Sequence, residues 1–191
     1  MKAKKPTFLN IGSRITVSQI TRFIKDGDHV LDLGAGKCLK GWYLKKRRKI
    51  KLTSLDIYRD KKALLPVILY DGQNVPFEGN SFDVVLLLGV LHHVKVGERE
   101  KIIKEARRVS KGLVVILEDT PENKRERFFN RIWDRIFNLP NRGARFFPYF
   151  SQRKWEAYFS KVGMQLIHKE KVKSPWSWLN QYTRALYVLR K

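Results

Sequence analysis

Apolar residues along the chain follow two patterns: short continuous runs, and longer stretches in which they recur at helical spacing. Continuous runs are typical of strands buried on both faces of a parallel sheet, and the spaced pattern is typical of amphipathic helices. The runs predict seven strands, at residues 30–33, 52–57, 67–70, 82–88, 113–117, 164–172 and 182–189. The spaced pattern predicts helices at residues 11–25, 37–47, 98–109, 121–137 and 151–163, and a short helical segment is expected before Pro66.

Strands and helices alternate in this order, which indicates βαβ units and a parallel sheet. Because such crossovers are right-handed, helices are expected on both faces of the sheet. The predicted fold class is α/β, a Rossmann-like doubly wound sheet of about seven strands, most of them parallel. At 191 residues the chain is expected to form one domain, with a loose basic arm at residues 1–10.

Charge is the part of the composition that stands out, because 40 Lys and Arg residues face 18 Asp and Glu residues and give a net charge of +22. A basic protein of this size is attracted to polyanions, meaning nucleic acid or an anionic membrane surface. The same charge also suits a generally cationic, soluble surface. The basic residues between positions 37 and 51 leave both interpretations open, since cations also suit the C-terminal end of a helix.

The single cysteine bears on the cellular compartment. It excludes an intramolecular disulfide and favours a reducing environment. The basic N-terminus is not followed by the apolar core of a signal peptide, and the longest apolar run, at residues 84–91, is far below the roughly 20 residues of a membrane span. We therefore expect a cytoplasmic protein, with peripheral contact to a membrane as an option.

The first predicted strand ends in Asp32 and runs into two glycines, Gly34 and Gly36. Glycine has no Cβ and tolerates positive φ, so the backbone N–H groups of such a turn can approach a ligand closely. The turn therefore predicts a site for a nucleoside-bearing cofactor, and by itself it leaves several such cofactors open.

Three further predicted strands also end in groups that can bind a ligand. The second strand ends at Asp56 and Ile57, the third runs into Asp71 and Gly72, and the fourth into the segment 89–93. Ligands of open α/β sheets bind at the carboxyl ends of the strands. A carboxylate at the end of the second strand can accept hydrogen bonds from both ribose hydroxyls of a nucleoside.

These motifs resemble the class I S-adenosylmethionine (SAM)-dependent methyltransferases, and most closely the ubiquinone/menaquinone-biosynthesis-type branch, methyltransferase domain type 11. The resemblance is carried by residues 30–36, 70–85, 91–94 and 105–109, and it spans residues 28–118 and 150–190. It implies a SAM-binding core at 28–118 after an N-terminal arm and helix at 1–27. A helical cap insert at 119–150 would follow the fifth strand, and residues 151–191 would end in an antiparallel last strand. NAD, the competing cofactor, would favour a third glycine where Leu39 stands. We expect no metal.

The resemblance implies which residues would hold the methionine part of SAM. Gly34, Ala35 and Gly36 would back it, and Asp32 would lie near its amino group. Cys38 stands where a third glycine often occurs in the family, and we interpret it as structural rather than as a nucleophile.

The resemblance also implies which residues would hold the nucleoside. Asp56 would bind the ribose hydroxyls, with Ile57 beside it, and Asp71 and Gly72 would sit at the adenine edge. Gly89 would shape the methionine and reaction-centre side of the site.

His92 and His93 are the candidate catalytic residues, because they follow the fourth strand and can be neutral near pH 7. Methyl transfer from a sulfonium is a direct displacement that needs mainly alignment in a dry pocket, and only a weakly acidic nucleophile needs a base. The alternative is that one histidine stacks in the loop and the other contacts solvent. Asp83 is interpreted as structural.

The cap insert is the best sequence evidence on the methyl acceptor. Its predicted helix carries an aromatic stripe from Phe128 to Phe137 beside Arg127, Arg131 and Arg135, and residues 146–150 add an aromatic cluster. Such a helix can lie on an anionic membrane, cover an apolar substrate, or pack on the domain with its arginines in water. Basic surface interleaved with aromatics also fits single-stranded RNA.

Three hypotheses follow: a methyltransferase for a small, apolar or lipid-like acceptor, an RNA methyltransferase, and a SAM-binding protein without catalysis.

Overall fold

Seven strands and five α-helices make up the described part of the chain. The structure is a computed structural model that describes residues 8–138, 148–172 and 183–191, with only the backbone described for residues 8–10 and 133–138. The strands are β1 (His29–Leu33), β2 (Lys51–Asp56), β3 (Ile68–Leu69), β4 (Phe82–Leu88), β5 (Ser110–Asp119), β6 (Gln165–Lys171) and β7 (Arg184–Arg190). The helices are α1 (Phe8–Ile20), α2 (Leu39–Lys45), α3 (Val96–Val109), α4 (Lys124–Asn138) and α5 (Gln152–Lys161).

The strands form one sheet in the order β3-β2-β1-β4-β5-β7-β6. Strands β3, β2, β1, β4 and β5 are mutually parallel, and β7 pairs antiparallel with both β5 and β6. The predicted α/β class, the number of strands and the antiparallel last strand are confirmed. The strand order reverses between β1 and β4, and crevices at the carboxyl ends of the strands beside such a reversal are the usual ligand sites of open sheets.

Helices cover both faces of the sheet, so each central strand is buried on two sides. Helices α1 and α2 pack on one face, where Val17, Ile20 and Leu44 meet the side chains of β1, β4, β5 and β7. Helices α3 and α5 pack on the other face, where Ile103, Trp155 and their neighbours form the larger cluster. This two-sided burial explains why the central strands are continuous apolar runs rather than alternating ones.

The ends of α5 are where the sequence places them. The Ser151 side chain caps the helix by accepting from the Lys154 amide, and Gly163 follows its end with a φ of 70°. The capping oxygen satisfies an amide that has no partner inside the helix, and glycine adopts the left-handed conformation without a steric cost. Residues 73–81, between the third and fourth predicted strands, form turns and bends.

Two expectations are wrong. Residues 57–66 form turns and bends rather than a short helix, because the Asp60 carboxylate accepts from the Lys62 amide and its carbonyl accepts from the Ala63 amide. These local bonds compete with helix formation. The fifth strand does not end at residue 117 as predicted, because residues 118–119 are the end of β5, and both side chains are buried.

Several predicted features lie partly outside the described residues. They are the first seven residues of the predicted arm at 1–10, the side chains of the cap helix at residues 133–137 with Arg135 and Phe137, the aromatic pair Phe146-Phe147, and the segment before Thr183. Residues 8–10 of the predicted arm belong to α1. No helix in the described part of the chain is long and apolar enough to cross a membrane.

Candidate active site

The turn after β1 is held by the neighbouring strand. The amides of Gly34 and Ala35 both donate to the Leu55 carbonyl, at 2.8 and 3.1 Å. Gly34 and Gly36 have positive φ angles of 80° and 53°. A Cβ on Gly34 would lie 2.6 Å from Val90 Cγ2, whereas a Cβ on Gly36 would meet nothing within 4 Å. The turn is therefore packed tightly at Gly34 and open at Gly36, which is the shape of a ligand cradle.

Asp56 ends β2 directly beside this turn. Its Oδ2 accepts from the Gly36 amide at 2.7 Å, and its Oδ1 accepts from the Tyr58 amide at 3.2 Å. A carboxylate can accept about four hydrogen bonds, so about two positions remain for a diol. Ile57 is 66% exposed next to it, and a Cβ on Gly72 would lie 2.9 Å from Ile57 Cγ2. The predicted ribose and adenine positions are thus neighbours in space.

Asp71 uses its carboxylate within its own loop. It accepts from the amides of Gln73 and Asn74 and from the Asn74 side chain, and these bonds lower its pKa to about 2. The exposed Asp71 therefore holds the loop beside Gly72 in shape. Its predicted place at the adenine edge stays a prediction.

Glu118 is a site residue that the sequence analysis missed. It is completely buried, and its carboxylate accepts from the amides of Val90, Leu91 and His92 and contacts His92 Nδ1 at 2.8 Å. Burial acts to raise the pKa of Glu118, but the charge and hydrogen bond of His92 and the two backbone amides outweigh it, so the pKa is lowered. Glu118 thereby fixes the segment that follows Gly89. The available signal was an acid at the end of an apolar run, as at Asp32 and Asp56.

The two candidate histidines differ in their surroundings. His92 is buried against Glu118, whereas His93 is partly exposed, and their ring centroids are 4.0 Å apart. The ring of Tyr149, from the end of the predicted cap insert, lies 6.2 Å from His92. The Glu118 carboxylate fixes the orientation of the His92 ring.

Buried charges collect at this end of the sheet. Asp32 is only 3% exposed, and burial raises its pKa to about 6, with Asp56 adding to the shift and Lys40 opposing it. Arg184, at the start of β7, pairs with the buried Asp119 at 3.2 Å. The side chains of Arg184 and His92 both approach Gly89, at 3.6 and 3.7 Å from the position of a Cβ. A buried ionised carboxylate is costly, so its retention here points to a ligand.

Cys38 adopts a left-handed backbone conformation, which is typical of the glycine that often stands at this position in the family. Its φ is 56°, its side chain is buried, and its thiol lies 3.8 Å from the Gly36 carbonyl oxygen and 3.9 Å from that of Leu65. Burial raises the pKa of the Cys38 thiol, which disfavours the reactive thiolate. These features support a structural role.

Comparisons with known proteins agree with this geometry. Residues 31–116 match the family model described as Methyltransferase domain. The probable tRNA methyltransferase 9B of Mus musculus is 31% identical over 135 residues, which are 64% of this chain and 29% of that protein. The chain thus spans less than a third of this relative's length.

Solved structures share the fold at low sequence identity. The 1,6-didemethyltoxoflavin-N1-methyltransferase of Burkholderia thailandensis, solved with S-adenosylhomocysteine, has a TM-score of 0.73 at 12% identity, over 95% of this chain and 79% of that one. The [4+2]-cyclase SpnF has a TM-score of 0.69 at 13% identity, over 93% and 80%. These likenesses show the fold alone.

Over residues 31–116 the chain is similar to the methyltransferase domain, and its sheet shares the fold of the solved methyltransferase with bound S-adenosylhomocysteine. More particularly, the matched model is the type 11 methyltransferase domain that the sequence predicts. S-adenosylmethionine is the cofactor that the sequence predicts. The acceptor oxygens of Asp56 fit its ribose hydroxyls, and the open side of Gly36 fits the approach of its methionine part to the backbone. The ubiquinone/menaquinone-biosynthesis-type branch stays a prediction.

The two glycines of the turn should respond differently to substitution. Gly34→Ala is expected to lower the free energy of unfolding by about 2 kcal/mol or more, because the new methyl group meets Val90. Gly36→Ala should cost only about 1 kcal/mol of left-handed strain but should weaken cofactor binding, since its methyl group enters the open side. Urea unfolding and calorimetry with S-adenosylhomocysteine separate the effects. The double variant Gly34→Ala/Val90→Ala should recover part of the lost stability, and equal stability losses in the two single variants would contradict this packing.

Asp32→Asn should stabilise the protein at high pH. Because the folded-state pKa of Asp32 is raised from 3.8 to about 6, stability is full below pH 3.8 and is lost as the pH rises through 6. The variant removes this loss and should gain up to about 3 kcal/mol at pH 8, with little gain near pH 4. Urea unfolding at both pH values measures it. Asp83→Asn is the control of opposite sign, since hydrogen bonds from His29 and Lys111 lower the pKa of Asp83. A gain for Asp32→Asn that persists at pH 4 would refute the assignment.

Proposed function

We propose that the protein is a SAM-dependent methyltransferase. The observation that carries the proposal is the Asp56 carboxylate, which joins the open glycine turn and keeps acceptor positions for a ribose diol. The family match over residues 31–116 supports it. In this proposal the nucleoside lies along Asp56, Ile57 and Gly72, and the methionine part lies along the glycine turn with Asp32 near its amino group.

The cofactor supplies a methyl group on a sulfonium, a donor whose leaving group is neutral. The protein's task is then to align the acceptor and to exclude water, because direct displacement needs no other help when the acceptor is already nucleophilic. Gly89 and the segment held by Glu118 border the place where the acceptor would lie.

His92 is our candidate base for an acceptor that must lose a proton. Glu118 faces Nδ1 of its ring, and a carboxylate in that position favours a proton on Nδ1 and a basic Nε2. The His93 ring lies against this ring at an interplanar angle of 52°, and His93 is assigned a supporting role.

We propose a small, apolar or lipid-like acceptor. Helix α4 follows β5 directly, and the Asn130 side chain ties it to the Thr183 carbonyl just before β7. Phe128 is 61% exposed and Ile132 is 37% exposed on this helix, near exposed Arg127 and Arg131. An apolar stripe among arginines suits an anionic membrane surface or an apolar substrate. The proposed location is accordingly cytoplasmic, at the membrane periphery.

RNA is the second candidate acceptor. The observations that favour it are the relative named a probable tRNA methyltransferase and the net charge of +22. A basic surface attracts RNA through its phosphates without any sequence-specific contact. SAM binding without catalysis is the remaining alternative, and turnover of any acceptor would dismiss it.

Asp56→Asn should weaken binding of S-adenosylhomocysteine about tenfold or more, because hydrogen bonds to a charged acceptor are lost. Isothermal titration calorimetry measures the change. Asp83→Asn is the matched control, since that carboxylate bonds the His29 amide and Lys111 away from the glycine turn. Unchanged affinity of Asp56→Asn for S-adenosylhomocysteine would contradict the assignment of Asp56 to the ribose hydroxyls.

Tritiated SAM in a cell extract should identify the acceptor class. We expect label in the organic phase with a membrane fraction present, and a severalfold loss in a Phe128→Ser/Ile132→Ser variant, because the apolar stripe no longer engages the acceptor. Ile167→Ser is the matched control, since Ile167 is 39% exposed on β6, a different element of the fold. Label that remains in the aqueous phase and is released by ribonuclease would overturn the lipid-like acceptor in favour of RNA.

A further inference from the structure

Lys40 is a charged residue at the site that neither the motifs nor the proposed function uses. It is the second residue of α2, and its ammonium group reaches the carboxyl end of β4, where it donates to the Leu88 carbonyl at 2.6 Å. Leu88 immediately precedes Gly89. The lysine therefore spans from the end of the glycine turn to the end of β4, the two segments between which the methionine part of the cofactor is proposed to lie.

The surroundings of Lys40 are strongly charged. Burial lowers its pKa to about 8, Arg184 acts in the same direction, and Asp32, Glu118 and Asp119 oppose the shift. Two cations and three carboxylates thus face one another at this end of the sheet. Lys40 is half-buried. Partial withdrawal of an ammonium group from water has a cost, and a methionine of similar length would fill the same volume without that cost. Packing alone therefore does not account for a lysine here.

The two cations of this group are engaged in different ways. Arg184 pairs directly with the Asp119 carboxylate at 3.2 Å, whereas the hydrogen bond of Lys40 goes to a neutral carbonyl oxygen. An ammonium group has three donors, so two remain after the bond to Leu88. Lys40 can accordingly accommodate an anion without breaking an ion pair.

The chemistry of that anion follows from the proposed cofactor, on which this inference rests. The amino-acid end of SAM carries an ammonium group, assigned above to the side of Asp32, and a carboxylate that still needs a cation. We propose that Lys40 is the counter-ion of this carboxylate. It is then a specificity-determining residue that selects SAM and S-adenosylhomocysteine over thionucleosides that lack the amino-acid end.

A pair of ligands tests this role without any acceptor. S-Adenosylhomocysteine has the carboxylate, and 5′-methylthioadenosine has the same adenosine and thioether without it. In calorimetry, Lys40→Met should weaken S-adenosylhomocysteine about ten- to a hundredfold, the range for a lost hydrogen bond between charged groups. Its affinity for 5′-methylthioadenosine should stay within about twofold, since no contact to that ligand is removed.

Two further variants complete the design. Lys37→Met removes the neighbouring lysine of the same turn and should leave both affinities unchanged. Lys40→Arg keeps the positive charge and should retain more affinity for S-adenosylhomocysteine than Lys40→Met does. Thermal unfolding should show both Lys40 variants folded, and Lys40→Met at least as stable as the wild type, because a half-buried charge is removed.

The outcomes separate the two proposals. If the wild-type protein binds neither ligand, the proposed function itself fails. If it binds both and Lys40→Met weakens them equally or not at all, the function stands and the role of Lys40 is overturned. A selective loss in Lys37→Met instead would assign the carboxylate to the other lysine and equally overturn the inference.

Discussion

The hydrogen bond from the Gly36 amide to the Asp56 carboxylate joins the ends of β1 and β2, and the site is built around it. The Leu55 carbonyl strengthens the same joint by accepting two amides of the turn. Parallel strands have their carboxyl ends at the same edge of the sheet. A residue that directly follows such a strand in the sequence therefore lies near this hydrogen bond. The cradle is therefore a product of strand register.

The charged groups at the same edge of the sheet lower the stability of the fold, because burial removes them from water. Asp32, Glu118 and Asp119 are withdrawn from water near the ends of strands whose central residues are apolar. For Glu118, hydrogen bonds from three backbone amides offset the cost of burial. For Asp32, burial disfavours the ionised carboxylate and raises its pKa. Proteins retain such groups where function needs them, and the apolar clusters on both faces of the sheet supply the stability that permits it.

Much of the fold and the position of the polar groups at the strand ends could be predicted from the sequence, because both depend on local signals. Apolar runs gave the strands, and a glycine or an acid directly after a run marked the carboxyl edge. Glu118 and Lys40 escaped prediction because their roles depend on contacts with residues 26 to 48 positions away. The helix expected before Pro66 failed for a related reason, since the Asp60 side chain satisfies local amides that a helix would have used. The acceptor could not be predicted from the sequence, because the amphipathic pattern of α4 fits several surfaces equally well.

The irregular segment 57–66 has a consequence for how the turn moves. The Leu64 amide donates to the Lys37 carbonyl, and the Cys38 thiol lies 3.9 Å from the Leu65 carbonyl oxygen. Two consecutive residues of this irregular stretch, Leu64 and Leu65, thus contact the end of the glycine turn. Local opening of this stretch breaks both contacts to the turn. The rate at which the Leu64 amide proton exchanges with solvent therefore reports how often the turn loses this support.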